Sequence, residues 1–190
     1  MGRTVCGSMK IIAISGSLRA ASLNTCVLQA ASRLAPSGAE IALFEGIGHL
    51  PFFNSDLEAE RLPAEVARFR AIIGAADGLL ISSPEYARGV SGVIKNALDW
   101  LVGSETFPGK PIALINTSPR ATHALAALTV TLETMSAHLV PDASITLPLL
   151  GTANDADSIA ANPDLAGPLR DAIERFVGAI EAQGNRNEAP

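Results

Sequence analysis

The 190 residues suit one domain, and with 48% of them hydrophobic but only 4% aromatic its core must be built mainly from Ala, Leu, Ile and Val. A formal net charge of −5, from 14 Lys and Arg against 19 Asp and Glu, leaves no basic stripe for a run of phosphates, so nucleic acid is not an expected partner while a single phosphate is still admissible. No apolar stretch reaches the roughly eighteen residues that span a bilayer, and the N-terminus lacks a basic segment followed by a signal-like core, so a cytoplasmic protein with no membrane partner is expected.

Residues Met1 to Ser8 have no periodicity and precede a second methionine, Met9, so they read as an N-terminal extension. From Met9 the elements alternate. Lys10 to Ser15 is an apolar strand, and Ser22 caps a helix reaching about Leu34, where Pro36 and Gly38 stop it. Glu40 to Phe44 is a second strand, Pro63 opens a helix to about Ala75, and the run GLLIS from Gly78 to Ser82 is a strand buried on both faces. Val90 to Leu101 reads as a helix, Pro111 to Asn116 as a strand, Ala121 to Ala137 as a helix and Ser144 to Leu147 as a fifth strand. A last helix from Pro168 to Ala182 ends before Gly184, and 184–190 is expected to be a flexible tail, which leaves 9–183 as one α/β domain. Cys6 and Cys26 have neither metal-site nor redox-pair spacing, and His49, His123 and His138 are too far apart in sequence to suggest a metal centre.

Five strands interleaved with helices predict a parallel sheet covered on both faces by right-handed crossovers. Ligands in such sheets sit at the carboxyl ends of the strands, which directs attention to three loops. The first, SGSLRAASLN, gathers the hydroxyls of Ser17 and Ser22, the guanidinium of Arg19 and the amide of Asn24 around a helix N-terminus, an arrangement suited to a phosphate monoester. Gly16 is expected to allow a tight turn there. The spacing matches neither a dinucleotide fingerprint nor a Walker loop.

The second loop, within SPEYARGVSGVIKNALDW, leaves a buried strand at Pro84, which stops it and aims the following N–H groups toward the crevice. Tyr86 adds a flat face or edge suited to a planar heterocycle. Lys95 and Asp99, four apart on a helix, are expected to form a surface ion pair, and Trp100 belongs to the core or an interface.

SGSLRAASLN and PEYARGVSGVIKNALDW together resemble the NADPH-dependent FMN reductase family of the flavodoxin-like superfamily, over nearly the whole chain from Met9 to about Ala182. The resemblance implies a flavodoxin-like doubly wound three-layer sandwich with a five-stranded parallel sheet in the order 2-1-3-4-5. It also implies FMN held at its phosphate by Ser17, Arg19, Ser22 and Asn24, with Pro84, Glu85 and Tyr86 along the isoalloxazine, largely through their backbone, and Gly89 keeping the loop compact. NADPH or NADH is then the co-substrate, and a homodimer or homotetramer the assembly.

The third loop, NTSPRATHA, departs from the pair of glycines that many family members carry, having Arg120, Ala121, Thr122 and His123 instead. Ser118 and Arg120 are expected at the flavin's pyrimidine side or a nicotinamide phosphate, and His123 in solvent. No nucleophile, base and orienter set occurs, so no catalytic acid or base is assigned; the chemistry would be the flavin's, with a quinone, azo compound, metal oxyanion or oxygen as acceptor. Two rival readings differ in class: an electron carrier that holds FMN without oxidising nicotinamide, and a flavin-free structural or regulatory relative.

Overall fold

The structure, a computed structural model, describes residues 8–149 and 155–187; Cys6 and most of the expected extension, the link at 150–154 and the last three residues lie outside it. β1 (Met9–Ser15) pairs in parallel with β2 (Ala39–Leu43) on one side and β3 (Gly78–Ser82) on the other, and β3 pairs in parallel with β6 (Pro111–Asn116). Successive side chains of a strand point to opposite faces, and here both faces are apolar. Ile12, Ile14, Leu79, Ile81, Ile112 and Leu114 enter one core, and Ile11, Ala13, Leu80, Ala113 and Ile115 the other.

Helices cover both. α3 (Ala64–Gly74), α4 (Gly92–Val102) and α5 (Thr122–Thr134) bury Phe69, Trp100 and Leu128 in the first core. α1 (Leu23–Arg33), α6 (Ala156–Ala161) and α7 (Pro163–Asn187) bury Leu28, Ile159 and Phe176 in the second. At Gly78 a Cβ would lie 2.7 Å from Ile180 Cδ1 and 2.9 Å from Phe176 Cζ, so this strand begins with glycine because α7 packs directly on its backbone. The flavodoxin-like architecture expected from the sequence is therefore present. No helix among the described residues is long and apolar enough to cross a membrane.

Several boundaries differ from the sequence reading, each for an identifiable reason. The fifth strand is split into β7 (His138–Leu139) and β8 (Ile145–Thr146), both paired in parallel with β6. Pro141 opens a short 3-10 turn between them, and the Ser144 hydroxyl accepts the Leu114 N–H at 3.0 Å, standing in for a ladder carbonyl. α4 starts at Gly92 rather than Val90 because β4 (Glu85–Tyr86) and β5 (Gly89–Val90) form an antiparallel hairpin. α5 ends at Thr134, where Ser136 at φ 60° lets the Ala137 N–H return to the Leu132 carbonyl at 3.0 Å. α7 begins before Pro168 and continues through Gly184 to Asn187, so that glycine does not stop it and part of the expected tail is helical. α2 (Ser55–Glu60), capped by Asn54, and α6, capped by Asp155, were not anticipated.

Candidate functional site

The carboxyl ends of β1, β3 and β6 meet at a crevice of about 390 Å³. Ser17, Arg19, Ser22 and Asn24 line it from the first loop, Pro84, Glu85 and Tyr86 from the second, and Ser118 and Arg120 from the third. Of the ten residues expected to hold the cofactor only Gly89 is not in the wall. It lies in β5 behind the turn, where a Cβ would sit an ordinary 3.5 Å from the Tyr86 carbonyl oxygen, so its role is not steric.

Ser22 adopts extended backbone at φ −98° and its Oγ accepts the Thr25 N–H at 3.3 Å, capping α1. The N–H groups of Leu23 and Asn24 then have no partner among the described residues, at the positive end of the helix. Ser17 Oγ accepts the Arg19 N–H at 3.4 Å, which folds the loop over this end, and Ser15 steadies it by bonding Thr25 Oγ1 at 2.8 Å and the Ser17 N–H at 3.3 Å. The chain bends at Gly16 as expected, but its φ is not positive, so the bend does not draw on the left-handed freedom of glycine. Its lack of a side chain matters for space: a Cβ would meet Ser83 Oγ at 2.5 Å and Ile94 Cγ1 at 2.7 Å.

Asn24 ties the three loops together. Its Oδ1 accepts Ser82 Oγ at 2.9 Å and Thr117 Oγ1 at 3.3 Å, so hydroxyls from the ends of β3 and β6 converge on one amide oxygen of α1. With the oxygen so engaged, the amide nitrogen is what Asn24 offers to the crevice. In the third loop Asn116 Oδ1 accepts the Ser118 N–H at 3.1 Å and Ser118 Oγ accepts the Arg120 N–H at 3.3 Å, two nested side-chain turns in place of glycines. His123 is exposed, as expected.

Glu85 commits one carboxylate oxygen to α5: Oε2 accepts the Ala124 N–H at 2.9 Å, in the first turn of that helix. Arg19, Arg88 and Arg120 form no ion pair among the described residues, in a chain whose net charge is −5. Arg19 and Arg120 thus bring cationic donors to the crevice from two of its loops, and one oxygen of Glu85, the carboxylate in its lining, accepts a backbone N–H.

The KNALDW helix does structural work. Lys95 and Asp99 pair at 2.5 Å as expected. Trp100 is fully buried and its Nε1 donates to the Pro51 carbonyl at 2.7 Å; Asn96 Nδ2 donates to the same oxygen at 3.0 Å while its Oδ1 accepts the Phe53 N–H at 2.8 Å. Sequence reasoning missed Ser15, Ser82, Asn116 and Thr117. The signal was there: each central strand ends in a small polar residue, Ser15, Ser82 or Asn116, after a run of apolar ones.

A family model described as NADPH-dependent FMN reductase matches residues 9–149. An NAD(P)H-dependent FMN reductase of Pseudomonas aeruginosa is 44% identical over 112 residues, 58% of this chain and 60% of that protein. A quinone reductase of Pseudomonas putida is 43% identical over 116 residues, 58% of this chain and 61% of the other. The chain thus spans about 60% of the length of these curated relatives. Among solved structures, the flavoenzyme NAD(P)H:(acceptor) oxidoreductase FerB from Paracoccus denitrificans superimposes with a TM-score of 0.75 at 32% identity, covering 92% of this chain and 98% of that one.

Proposed function

The chain belongs to the NADPH-dependent FMN reductase family, and from that premise we propose that its crevice holds FMN and that the protein uses it to move hydride from NADPH or NADH to a quinone. The observation that carries this reading is the first loop: a capped helix N-terminus with two unpartnered N–H groups, flanked by two serine hydroxyls and an arginine that no carboxylate neutralises among the described residues. A dianionic phosphate monoester fits that donor set. FMN, when bound, supplies the hydride and single-electron chemistry.

The chain's own part is positioning. Ser17 and Ser22 already accept backbone N–H bonds, so each hydroxyl hydrogen is left to donate, and Arg19 adds a charged fork. Pro84 and Tyr86 give a wall against which a flat ring can lie. Ser118 and Arg120 face it from the third loop, where they suit the ring's pyrimidine edge or a nucleotide phosphate. No side chain need act as acid or base. Quinone is favoured as acceptor by the names of the relatives, among them quinone reductases and a 2-hydroxy-1,4-benzoquinone reductase of a Burkholderia species. Assembly into a homodimer or homotetramer is favoured by Phe52, 88% exposed, and Leu18, 62% exposed, side chains that gain by being covered.

An anaerobic absorbance titration tests the reading. Protein loaded with FMN is expected to bleach on adding NADPH or NADH and to recover its yellow colour on adding benzoquinone, while an azo dye, chromate or oxygen in its place ranks the other acceptors. Bound flavin that stays oxidised would favour an electron carrier, and no flavin uptake would overturn the site. Arg19→Ala should weaken FMN binding by about tenfold or more.

A further inference from the structure

We propose that Glu85 is a positioning residue: its carboxylate caps α5 and so fastens the hairpin that carries the Pro84–Tyr86 wall to the Ser118–Arg120 turn across the crevice, making the two loops one rigid unit. The inference rests on the proposed flavin site for its consequence, but the coupling itself stands on this chain's own geometry.

α5 enters without a cap of its own. Ala121 precedes it, makes no side-chain bond to the helix, and no acidic residue occupies the first turn. The free N–H groups of a helix start favour a carboxylate, and the one that serves them comes from 39 residues earlier in the chain, with Glu85 Oε2 accepting the Ala124 N–H at 2.9 Å. The residues directly before α5 are those of the third loop, whose nested turns at Asn116 and Ser118 end at Ala121, its N–H on the Ser118 carbonyl at 3.1 Å. Fixing the helix start therefore fixes Ser118 and Arg120.

On the other side Glu85 opens the hairpin, whose two turn residues, Ala87 at φ 49° and Arg88 at φ 60°, both hold the left-handed conformation that side chains other than glycine and asparagine adopt reluctantly. A two-stranded ribbon of this length does not hold such a turn unaided. Its anchors include Val90, packed like Leu125 against the first core, the Ser83 hydroxyl donating to Ser91 Oγ at 3.3 Å across its base, and the Glu85 carboxylate, the one of these that reaches the start of α5. Removing the carboxylate frees both ends of the link at once, a signature that loss of an ordinary surface charge does not share.

The test is amide exchange on flavin-free protein together with FMN binding followed by flavin fluorescence. In Glu85→Ala, exchange should rise in 85–90 and in 118–124 together, and the FMN dissociation constant should increase about tenfold, equivalent to about 1.4 kcal/mol. Glu85→Gln keeps an acceptor oxygen of the same reach and should recover most of both effects. Unchanged exchange in either segment, or loss of affinity that Glu85→Gln does not rescue, overturns the proposal. If Glu85→Ala does not fold, Glu85→Asp, one methylene short of Ala124, gives the same comparison. Wild-type protein that binds no FMN refutes the flavin site, while the exchange result still decides the coupling.

Discussion

Replacing Asn24 by Leu isolates what a single buried amide does for the crevice floor. Leucine is close in size and suits a helix, so the change removes the hydrogen bonds with little change in packing or propensity. Two hydroxyl donors lose their acceptor. Ser82 is 0% exposed, so no water can reach it, and an orphaned buried donor costs about 1–3 kcal/mol. Thr117 bonds at a longer 3.3 Å and borders the crevice, where solvent can replace the amide, so its loss adds at most about 1 kcal/mol. The expected total is about 1–4 kcal/mol, which for a domain of this size lowers the melting temperature by about 2–16 °C. Urea unfolding of Asn24→Leu, Ser82→Ala and the double variant measures it. Once Asn24 is gone the Ser82 hydroxyl is a liability, so adding Ser82→Ala should restore stability, with a coupling of about 1 kcal/mol or more. Asn24→Leu within about 0.5 kcal/mol of wild type, or two changes that simply add, would refute the claim that this amide holds the loops together.

Gly16→Ala places a methyl within 2.8 Å of Ser83 and Ile94 and should cost about 1–3 kcal/mol of unfolding free energy through overpacking; a neutral result would mean that α4 yields more easily than a packed helix should. In the hairpin, Ala87→Asn with Arg88→Gly supplies the residues that a turn with two positive φ values favours, and should raise stability by about 1 kcal/mol, read from the denaturant midpoint; a drop would show that the turn is held for a contact that these side chains make. Asp155 caps α6 by accepting the Ser158 N–H at 2.7 Å, and that bond holds its carboxyl below the usual range. Because the folded value lies below the unfolded one, the stabilisation is full above the unfolded pKa, about 3.9, and fades as pH falls through the folded value. Protection of the α6 amides should therefore decline below about pH 4 in wild type and not in Asp155→Asn, which keeps the acceptor without the proton.

The central strands and the first phosphate-type loop were legible because they obey local rules. GLLIS and PIALIN are continuous apolar runs bounded by turn residues, and Ser22 caps its helix with its own side chain. What escaped was whatever depends on distant partners. The α5 cap is invisible in the local sequence because the acceptor is Glu85, and the hairpin at 85–90 places Ala and Arg where local chemistry asks for Asn and Gly. Gly16 was singled out correctly but for a conformational reason, whereas the constraint is the approach of β3's exit and α4, a distance no single sequence reveals. The split of the fifth strand was partly announced by Pro141, though not the Ser144 hydroxyl that stands in for a carbonyl.

That split also decides how the sheet meets its surroundings. Beside β6 the margin is offered as two pieces of two residues each, separated by the Pro141 turn, too short and too bent to template another strand. The opposite margin, β2, is a five-residue strand paired only with β1 among the described strands; its guards are the exposed charge of Glu40 and the Ser32 hydroxyl, which donates to the Ile41 carbonyl at 2.6 Å. Strand-to-strand association of partly unfolded molecules is thereby polarised: it has one door, at 39–43, and a second charge placed on that strand would close it.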